Sequence, residues 1–401
     1  MTILILNCGS SSIKFQLLET DTRNVKASGL AERIGEPVSK FSCQFAGQDK
    51  RKRQILIPDH ERGIEIIIHE LMDEQHGIIR DPGEIDAIGH RLVHGGEFYN
   101  TSVIIDERVV EVMQECCNLA PLHNPANISG IEAALKYLPG IPQCGLFDTA
   151  FHQTMPPRAY LYALPIEYYS DYHLRRYGFH GTSHQYVSQQ AAKYLGAKLE
   201  DLKIISCHLG NGASITAIEH GKSIDTSMGF TPLEGLMMGT RCGDIDPAIP
   251  FHLMKAFDMT PDEVYAVLNR QSGMLGLSKI SNDMRVIEEE ILEHGNEAAI
   301  LAHEVYAYRI KKYIGAYAAA MNGFDVMVFT GGVGEKMPIL RELVCSDLEF
   351  FGLRLDKALN NRFADGILEL HTPDSRVKAL KIPTNEELMI ALETERLLKN
   401  A

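Results

Sequence analysis

The feature that most restricts the fold of this chain is a repeated pattern of strand, glycine-rich turn and strand. Residues 4–18 carry the first copy and residues 204–218 carry a looser second copy. In each copy an apolar run leads into Gly, Ser or Asn residues and then into a second apolar run. Glycine lets the backbone approach a ligand closely, and successive backbone N–H groups form a concave site for an anion. The repeat therefore predicts a duplicated fold with a phosphate-binding turn in each half.

Length and charge limit the classes of protein that fit. The chain has 401 residues, enough for two or three domains, and 45% of them are hydrophobic, as in an ordinary globular protein. A formal net charge of −14 argues against binding to nucleic acid, although a few local arginines can still bind a small anion. The first apolar run is too short for a signal peptide, and no apolar stretch reaches about twenty residues, so we expect no membrane association.

The cysteines argue against a zinc centre and against a disulfide framework. None of the eight forms a C-x-x-C pair, and they are scattered at positions 8, 43, 116, 117, 144, 207, 242 and 345. Free thiols are typical of a reducing compartment, so we expect a cytoplasmic protein.

Strands alternate with long helices along the chain. Short apolar runs predict strands at 53–57, 85–88, 144–147 and 326–329. Apolar spacing of three and four residues predicts helices at 60–75, 128–138 and 302–321. This mixture indicates an α/β protein.

Three glycine-rich turns follow predicted strands, at residues 7–12, 209–213 and 330–335. A single turn of this kind needs Gly, Asn or Ser for conformational reasons alone. The chain lacks the P-loop pattern, so it is not a P-loop NTPase, and it lacks a G-x-G-x-x-G after the first strand, which argues against a dinucleotide-binding fold. The three turns together still favour nucleotide binding.

A series of sequence blocks carries a family resemblance. The blocks are residues 7–15, 89–96, 120–125, 147–152, 176–184, 208–212, 225–229, 239–241 and 383–387. With these blocks in this order, the chain resembles the acetate kinase family over essentially its whole length. The sequence departs from the family pattern at Lys336, where Asn is common, and at Cys242, where Ser is common. The change to Lys336 concerns the residues that contact the nucleoside.

The resemblance implies an α/β, two-domain, actin-like fold with a duplicated ribonuclease-H-like core and an active-site cleft between the domains. The first domain would comprise residues 1–150 with 384–401, and the second would comprise residues 151–383. It also implies a homodimer that uses ATP and ADP with Mg²⁺, or Mn²⁺ in its place. The reaction would be reversible phosphoryl transfer between ATP and acetate, giving acetyl phosphate.

Phosphoryl transfer depends on positioning and on neutralising charge, and arginine suits this because its fork binds planar anions. By resemblance, Arg91 would bind the substrate carboxylate, and Arg241 would bind both that carboxylate and the phosphoryl group. His180 would donate to the equatorial oxygens of that group. Asp148 could orient an arginine or hold a metal-bound water, while capping of a helix is the commoner role of such a residue. The acceptor carboxylate is already ionised, so no strong base is needed.

The resemblance also assigns the binding residues. The acyl pocket would comprise Val93, Leu122, Phe179 and Pro232, with His123 beside the substrate. The metal would be held by Asn7 and Glu386. The nucleotide would contact Lys14, Ser10, Ser12, His208, Leu209, Gly210, Asn211, Gly212, Asp283, Met284, Arg285, Gly331, Gly332, Val333, Gly334 and Glu335.

Several alternatives stay open at this point. Related propionate kinases tend to have a smaller residue where Val93 stands, so valine favours acetate, with propionate as a slower substrate. A non-catalytic nucleotide-binding module would be expected to lack the two arginines. A sugar kinase would need a carboxylate base beside a hydroxyl and a larger polar pocket, whereas the pocket predicted here is small and apolar.

The histidine pairs 90/94 and 180/184 have the spacing of metal ligands on a helix, or they could be structural.

Overall fold

The chain folds as two compact units. In this computed structural model, residues 1–121 and 123–401 are described, and the predicted pocket residue Leu122 lies outside them. The first unit comprises Met1–Gln153 and Asn385–Ala401, and the second comprises Thr154–Thr384.

The first unit is built on an eight-stranded sheet. Its strands are β1 Thr2–Gly9, β2 Ser12–Glu19, β3 Asn24–Glu32, β4 Ser39–Phe45, β5 Arg51–Ile55, β6 Ala87–Leu92, β7 Val103–Ile104 and β8 Gln143–Phe147. Their order is β5-β4-β3-β2-β1-β6-β8-β7. The first five strands are antiparallel, and β1, β6 and β8 run parallel.

Helices cover both faces of the β1 and β6 region of this sheet. They are α1 His60–Leu71, α2 Glu107–Glu115, α3 Asn124–Tyr137 and α15 Glu386–Lys399. On one face, alternate residues of β1 such as Leu4 and Leu6 form a core with α1 and α3. On the other face α15 packs against β6 so closely that Gly89 has no room for a side chain. The C-terminal helix therefore belongs to the unit that the N-terminus begins.

The second unit is built on a six-stranded sheet. Its strands are β9 Lys203–Leu209, β10 Ala213–Glu219, β11 Lys222–Thr226, β12 Val326–Thr330, β13 Leu368–Glu369 and β14 Lys378–Lys381. Their order is β11-β10-β9-β12-β14-β13, with β9, β12 and β14 parallel. The helices are α4 Pro157–Tyr160, α5 Glu167–Ser170, α6 Gly181–Leu195, α7 Ala248–Phe257, α8 Pro261–Arg270, α9 Gly273–Ser278, α10 Met284–Leu292, α11 Glu297–Ala320, α12 Gly331–Lys336, α13 Pro338–Cys345 and α14 Lys357–Asn360.

The two sheets share one topology. In the first unit the three antiparallel strands β3-β2-β1 are followed by β6 and β8, which run parallel to β1. In the second unit the three antiparallel strands β11-β10-β9 are followed by β12 and β14, which run parallel to β9. The hairpins that the sequence repeat predicts, β1/β2 and β9/β10, occupy the same place in both sheets. The predicted duplication of an α/β core is thus confirmed.

The predicted elements are present, with shifted ends. The run at 53–57 is a strand only as far as Ile55, and the helix at 60–75 ends at Leu71. The helix at 302–321 begins five residues earlier, because the side chain of Asn296 caps it by accepting from the backbone N–H groups of Ala298 and Ala299. None of the helices in the described residues combines the length and apolarity that a membrane crossing requires.

We expect two glycine-to-alanine substitutions to act in opposite directions. At Gly89 a new Cβ would lie 2.6 Å from Cγ2 of Ile390 and 2.9 Å from Oγ1 of Thr394. Gly89→Ala should therefore push α15 off the sheet and lower the free energy of unfolding by about 1–3 kcal/mol. At Gly315, inside α11, a Cβ meets nothing within 4 Å, so Gly315→Ala should raise that free energy by about 0.5–1 kcal/mol. Urea unfolding of both variants checks this, and a neutral Gly89→Ala would contradict the packing of α15.

Candidate active site

One arginine at the end of a central strand gathers two carboxylates in the first unit. Arg91, near the end of β6, donates from Nε to Oδ1 of Asp148 at 3.2 Å and from Nη2 to Oδ2 at 2.6 Å. Its Nε also lies 3.4 Å from Oε2 of Glu386. Asp148 directly follows β8, and its backbone N–H donates to the carbonyl of Leu92 at 2.8 Å, which continues the sheet pairing. Glu386 is the first residue of α15. The cluster therefore joins residues from three distant parts of the chain.

Asn7 and Lys14 lie in the same register row as Arg91. Asn7 pairs with Lys14 across the hairpin on one side and with Arg91 across the parallel ladder on the other. Lys14 is half-exposed and forms an ion pair with Glu387, the neighbour of Glu386. The predicted Asn7, Lys14, Arg91, Asp148 and Glu386 are thus all at one end of this sheet.

The electrostatic balance at this end of the sheet is negative. Three carboxylates, those of Asp148, Glu386 and Glu387, face two cations, Arg91 and Lys14. Burial raises the pKa of Glu386, and Asp148 and Glu387 raise it further against the opposing effect of Arg91. Burial by itself would lower the pKa of Arg91, but Asp148 and Glu386 outweigh it, and the pKa is raised. Ionised Glu386 therefore has an electrostatic cost here that an additional cation would relieve.

The oxygens at this site suit a hard divalent cation. Asn7 offers an amide oxygen, and Asp148 and Glu386 offer carboxylates, which are the donors that Mg²⁺ prefers. Within residues 1–121 and 123–401 no group of three or more His, Cys, Asp or Glu side chains has the arrangement of a metal centre. A cation with one or two protein ligands, whose other positions go to water and phosphate, fits this donor set.

Two asparagines on α3 fix the segment that follows Arg91. Val93 donates its backbone N–H to Oδ1 of Asn127 at 3.0 Å, and His94 donates to Oδ1 of Asn124 at 3.2 Å. His123 occupies the N-cap position of the same helix. The predicted pocket residues Val93 and His123 are therefore linked through the first turn of α3. Asn127 carried no signal in the sequence.

The second unit brings together His180, Pro232 and Arg241 around Gly212. A Cβ at Gly212 would lie 3.6 Å from Nε2 of His180 and 3.6 Å from Nη1 of Arg241. Nη1 of Arg241 also donates to the carbonyl of Pro232 at 3.2 Å. Phe179 is 4% exposed and directly precedes His180. Burial lowers the pKa of Arg241, so an anion beside it would stabilise the charged form that burial disfavours.

His180 adopts a conformation that is uncommon for residues other than glycine. It lies in the left-handed region, with φ 58° and ψ 24°, at the N-cap of α6. Its ring stacks on that of His208, with centroids 4.3 Å apart and an interplanar angle of 24°. His208 in turn pairs with Thr330 of β12 in the sheet, next to the third glycine-rich turn. The backbone therefore aims the His180 ring at the hairpin turn of β9 and β10.

A cavity of about 580 Å³ opens beside this turn in the second unit. Its lining includes Gly210, Asn211, Asn282, Asp283, Met284, Arg285, Glu288, Gly332, Val333, Lys336 and Met337. Seven of the predicted nucleotide residues are among them. The predicted Ser10 and Ser12 lie instead in the first unit, in or beside the β1/β2 turn, and Ser10 is exposed.

The third glycine-rich turn packs directly on the second. Gly331 has φ +76°, and a Cβ there would lie 2.6 Å from the carbonyl oxygen of Leu209, so only glycine fits. Gly334 and Glu335 continue from it in α12, where their carbonyls accept from Nη1 of Arg341 at 2.9 and 3.0 Å. Arg341 is 1% exposed and had no signal in the sequence.

The comparisons with known proteins agree over the full chain. Residues 2–392 match the model of the acetokinase family. The chain belongs to the acetokinase family. An acetate kinase of Thermotoga maritima is 57% identical over 100% of this chain and 99% of its own length.

Solved structures of family members share the fold. The crystal structure of Porphyromonas gingivalis acetate kinase has a TM-score of 0.96 at 49% identity, with 99% of both chains covered. A propionate kinase from Francisella tularensis has a TM-score of 0.91 at 41% identity, also with 99% of both chains covered. The predicted two-domain, actin-like α/β fold is confirmed by these likenesses.

The electrostatics of the cavity in this family member are set by residues of α10. Hydrogen bonds from Arg285 lower the pKa of Asp283 to about 2, so this N-cap carboxylate is ionised. Burial raises the pKa of Glu288, which the sequence did not single out. Lys336, the departure from the family pattern, lines the same cavity. Both cations and carboxylates therefore line this cavity.

The spaced histidine pairs are engaged in hydrogen bonds. His90 bonds Oε1 of Gln143 at 2.5 Å, and burial lowers the pKa of His90 to about 4. The ring Nδ1 of His94 accepts from the backbone N–H of Gly96 at 3.0 Å. His180 and His184 share the hydroxyl of Ser214. These contacts favour the structural reading of the spacing over zinc binding.

A partly buried arginine, Arg176, holds the loop that carries Pro232. Nη1 of Arg176 donates to three successive carbonyls, those of Thr226, Ser227 and Met228, at 2.8, 3.1 and 3.2 Å. Its Nη2 donates to Glu234 at 2.5 Å, and Glu234 also accepts from the hydroxyl of Tyr162. A single guanidinium thus fixes both ends of residues 226–234. Arg176 lies in a block that resembles the family, but its role was not predicted.

We expect Arg176→Lys to loosen this loop, because an ammonium group cannot reach four acceptors in a fixed fork. Hydrogen exchange of the amides of residues 226–234 should quicken about tenfold or more, while the first unit is unaffected. Arg354→Lys is the matched control, since Arg354 forms an exposed ion pair with Asp374 in the same unit. Equal exchange in the two variants would show that Arg176 does not hold the loop.

Proposed function

We propose that this protein is an acetate kinase that transfers the γ-phosphoryl group of ATP to acetate and also runs in reverse. A carboxylate oxygen of acetate forms a bond to the γ-phosphorus as the bond to the bridging oxygen breaks, giving acetyl phosphate and ADP. The observation that carries the proposal is the presence of Arg91 and Arg241, each held near other predicted site residues, in a chain 57% identical to a curated acetate kinase.

Arg91 binds the acetate carboxylate in this proposal. Two anions that must approach one another repel, and a bidentate guanidinium offsets that repulsion while fixing the carboxylate plane. Asp148 supports Arg91 through two hydrogen bonds, which is the orienting role among those that the sequence left open. Val93 and His123 would line the methyl side of the acetate site, and the pocket role of Leu122, Phe179 and Pro232 rests on the family resemblance.

Arg241 and His180 act on the phosphoryl group. Both are near Gly212, so their donors converge on one small region of the second unit. Donors that are already in place stabilise the charge that develops on the equatorial oxygens without reorganising during the reaction. The cavity lined by Asn211, Asp283 and Val333 would hold the nucleoside of ATP.

The proposed metal is Mg²⁺, held by Asn7 and Glu386, with Mn²⁺ able to take its place because it also prefers oxygen donors. When bound, it would neutralise charge on the phosphate oxygens of the nucleotide. Lys14, Ser10 and Ser12 would add a point charge and hydroxyl groups on the same side.

Propionate kinase is the second candidate, because a solved structure 41% identical to this chain is that of a propionate kinase. The acids differ by one methylene, which a pocket discriminates by only about 1–3 kcal/mol. Val93 has its backbone fixed by Asn127, so its side chain would set the depth of the pocket. We therefore expect acetate to be the faster substrate.

Acyl phosphate formation, trapped with hydroxylamine, tests the reaction and the two arginines. With ATP and Mg²⁺, we expect turnover of acetate above propionate and butyrate, and none when the metal is chelated. Arg91→Ala and Arg241→Ala should each lower kcat/KM for acetate by about 10² or more, because a buried charge partner is lost.

Arg354→Ala serves as the control for removal of an arginine, since its ion pair is exposed. Propionate turning over faster would keep the mechanism and reject the role given to Val93. Bound ATP without any acyl phosphate would instead support a non-catalytic nucleotide-binding protein.

We also propose a cytoplasmic homodimer. All eight cysteines are free thiols, which fits a reducing compartment. Helix α7 supports the dimer, because none of its ten residues is buried although the helix is apolar. Phe251 and Phe257 on it are 71% and 68% exposed. An apolar face of this kind is typical of a surface that a second copy covers.

Light scattering during size-exclusion chromatography tests the dimer. The double variant Phe251→Glu, Phe257→Glu should elute as a monomer at concentrations where the unmodified protein is a dimer, because charge is buried at the interface. Phe363→Glu, at a side chain 89% exposed in the same unit, is the control and should stay dimeric. A monomeric unmodified protein would reject the proposal.

A further inference from the structure

A chain of hydrogen bonds runs from the interior of the second unit to His180. Oγ of Ser206, on β9, lies 2.8 Å from Nδ1 of His184, on α6. Nε2 of His184 lies 2.8 Å from Oγ of Ser214, on β10. The same oxygen lies 2.9 Å from Nδ1 of His180. Ser206, His184 and Ser214 are each 0% exposed. We call these three residues and His180 the relay.

The single hydroxyl proton of Ser214 couples the two histidines. A serine hydroxyl donates one hydrogen bond and accepts others, and a neutral imidazole has one donor and one acceptor nitrogen. Ser214 contacts an imidazole nitrogen on each side, and accepting from both would leave its own buried proton without an acceptor. It therefore donates to one ring and accepts from the other. If Nδ1 of His180 accepts the proton of Ser214, Nε2 of His184 must donate to Ser214. Nδ1 of neutral His184 must then accept from Ser206.

Ser206 sets the direction of the relay. Among residues 1–121 and 123–401, its hydroxyl has one hydrogen-bond partner, Nδ1 of His184. A buried hydroxyl that only accepts leaves its proton without an acceptor, which costs more than an unused lone pair. Ser206 therefore donates to Nδ1 of His184, and this fixes the direction of the other hydrogen bonds in the relay. Ser214 donates to Nδ1 of His180, and the proton of neutral His180 lies on Nε2.

The protonated nitrogen of His180 borders the same position beside Gly212 as Nη1 of Arg241. A Cβ at Gly212 would be 3.6 Å from both Nε2 of His180 and Nη1 of Arg241, so the two donors border the same space. We infer that Ser214, oriented by His184 and Ser206, is a positioning residue that fixes the tautomer of His180 so that Nε2–H faces the transferred phosphoryl group. This inference rests on the proposed function, because it needs a phosphoryl group beside His180.

Nitrogen-15 spectra of protein labelled in its histidine side chains test the tautomer directly. His180→Gln identifies the signals of His180. In the unmodified protein we expect its Nε2 to be protonated and its Nδ1 unprotonated. Ser214→Ala and Ser206→Ala should each give a mixture of the two tautomers, and Ser206→Ala does so without changing a residue that contacts His180.

Kinetics separate positioning from a structural role. Ser214→Ala should lower kcat by about tenfold or more and leave KM for ATP and acetate within about twofold, because ground-state binding does not use the proton on Nε2. Ser214→Thr keeps the hydroxyl and should restore kcat and the single tautomer. Thr216→Val is the control, since its buried hydroxyl lies on the same strand but bonds Thr226.

Two results would overturn the inference: a proton on Nδ1 of His180 in the unmodified protein, or an unchanged Nε2–H tautomer in both alanine variants. A fall in kcat of similar size in Thr216→Val would also reject it, because loss of any buried hydroxyl would then explain the effect. If the unmodified protein forms no acyl phosphate, the proposed function fails. The spectra still decide whether the relay sets the tautomer.

Discussion

The ion cluster around Arg91 is the interaction on which the first unit and its proposed chemistry depend. One guanidinium contacts both Asp148 at the end of β8 and Glu386 at the start of α15, and so ties the C-terminal helix to the strands of the first unit. Burial raises the pKa of Glu386, and the neighbouring carboxylates of Asp148 and Glu387 raise it further. Three carboxylates against two cations leave the site negative, which suits a divalent cation. The electrostatic cost of this arrangement is thus located where a metal ion would offset it.

The two units apply one topology to different chemistry. In both sheets a hairpin turn lies at the end where the parallel strands have their carboxyl termini. Ligands bind at this end of the sheet in α/β proteins. In the first unit this end of the sheet carries carboxylates and basic side chains. In the second unit it carries imidazoles, hydroxyls and one arginine. The first set suits a cation and a carboxylate, and the second suits donation to phosphate oxygens. The two units therefore share a backbone arrangement, and the side chains near the turns determine which ligand groups each unit suits.

Much of the fold and part of the site could be predicted from the sequence. The two hairpins were predicted because apolar runs flank Gly and Ser at the same spacing twice, and the predicted helices formed with ends shifted by a few residues. Residues predicted to contact the nucleotide, among them Gly210, Asp283 and Gly332, line one cavity, and their role stays a prediction. Asn127, Arg176 and Arg341 were not predicted, because each acts through bonds to backbone atoms that lie far away in the sequence.

The sequence by itself determined the local conformations and the family. Apolar periodicity specifies strands and helices, and glycine at positions such as Gly331 is required wherever φ is positive and another backbone is in contact. Only the tertiary structure decided which polar groups meet. The registers that place Asn7 beside Arg91 and bring Ser206 and Ser214 to His184 depend on pairing between strands and on burial. Electrostatic shifts and proton positions depend on those distances and on exclusion of water, and neither quantity is local in the sequence.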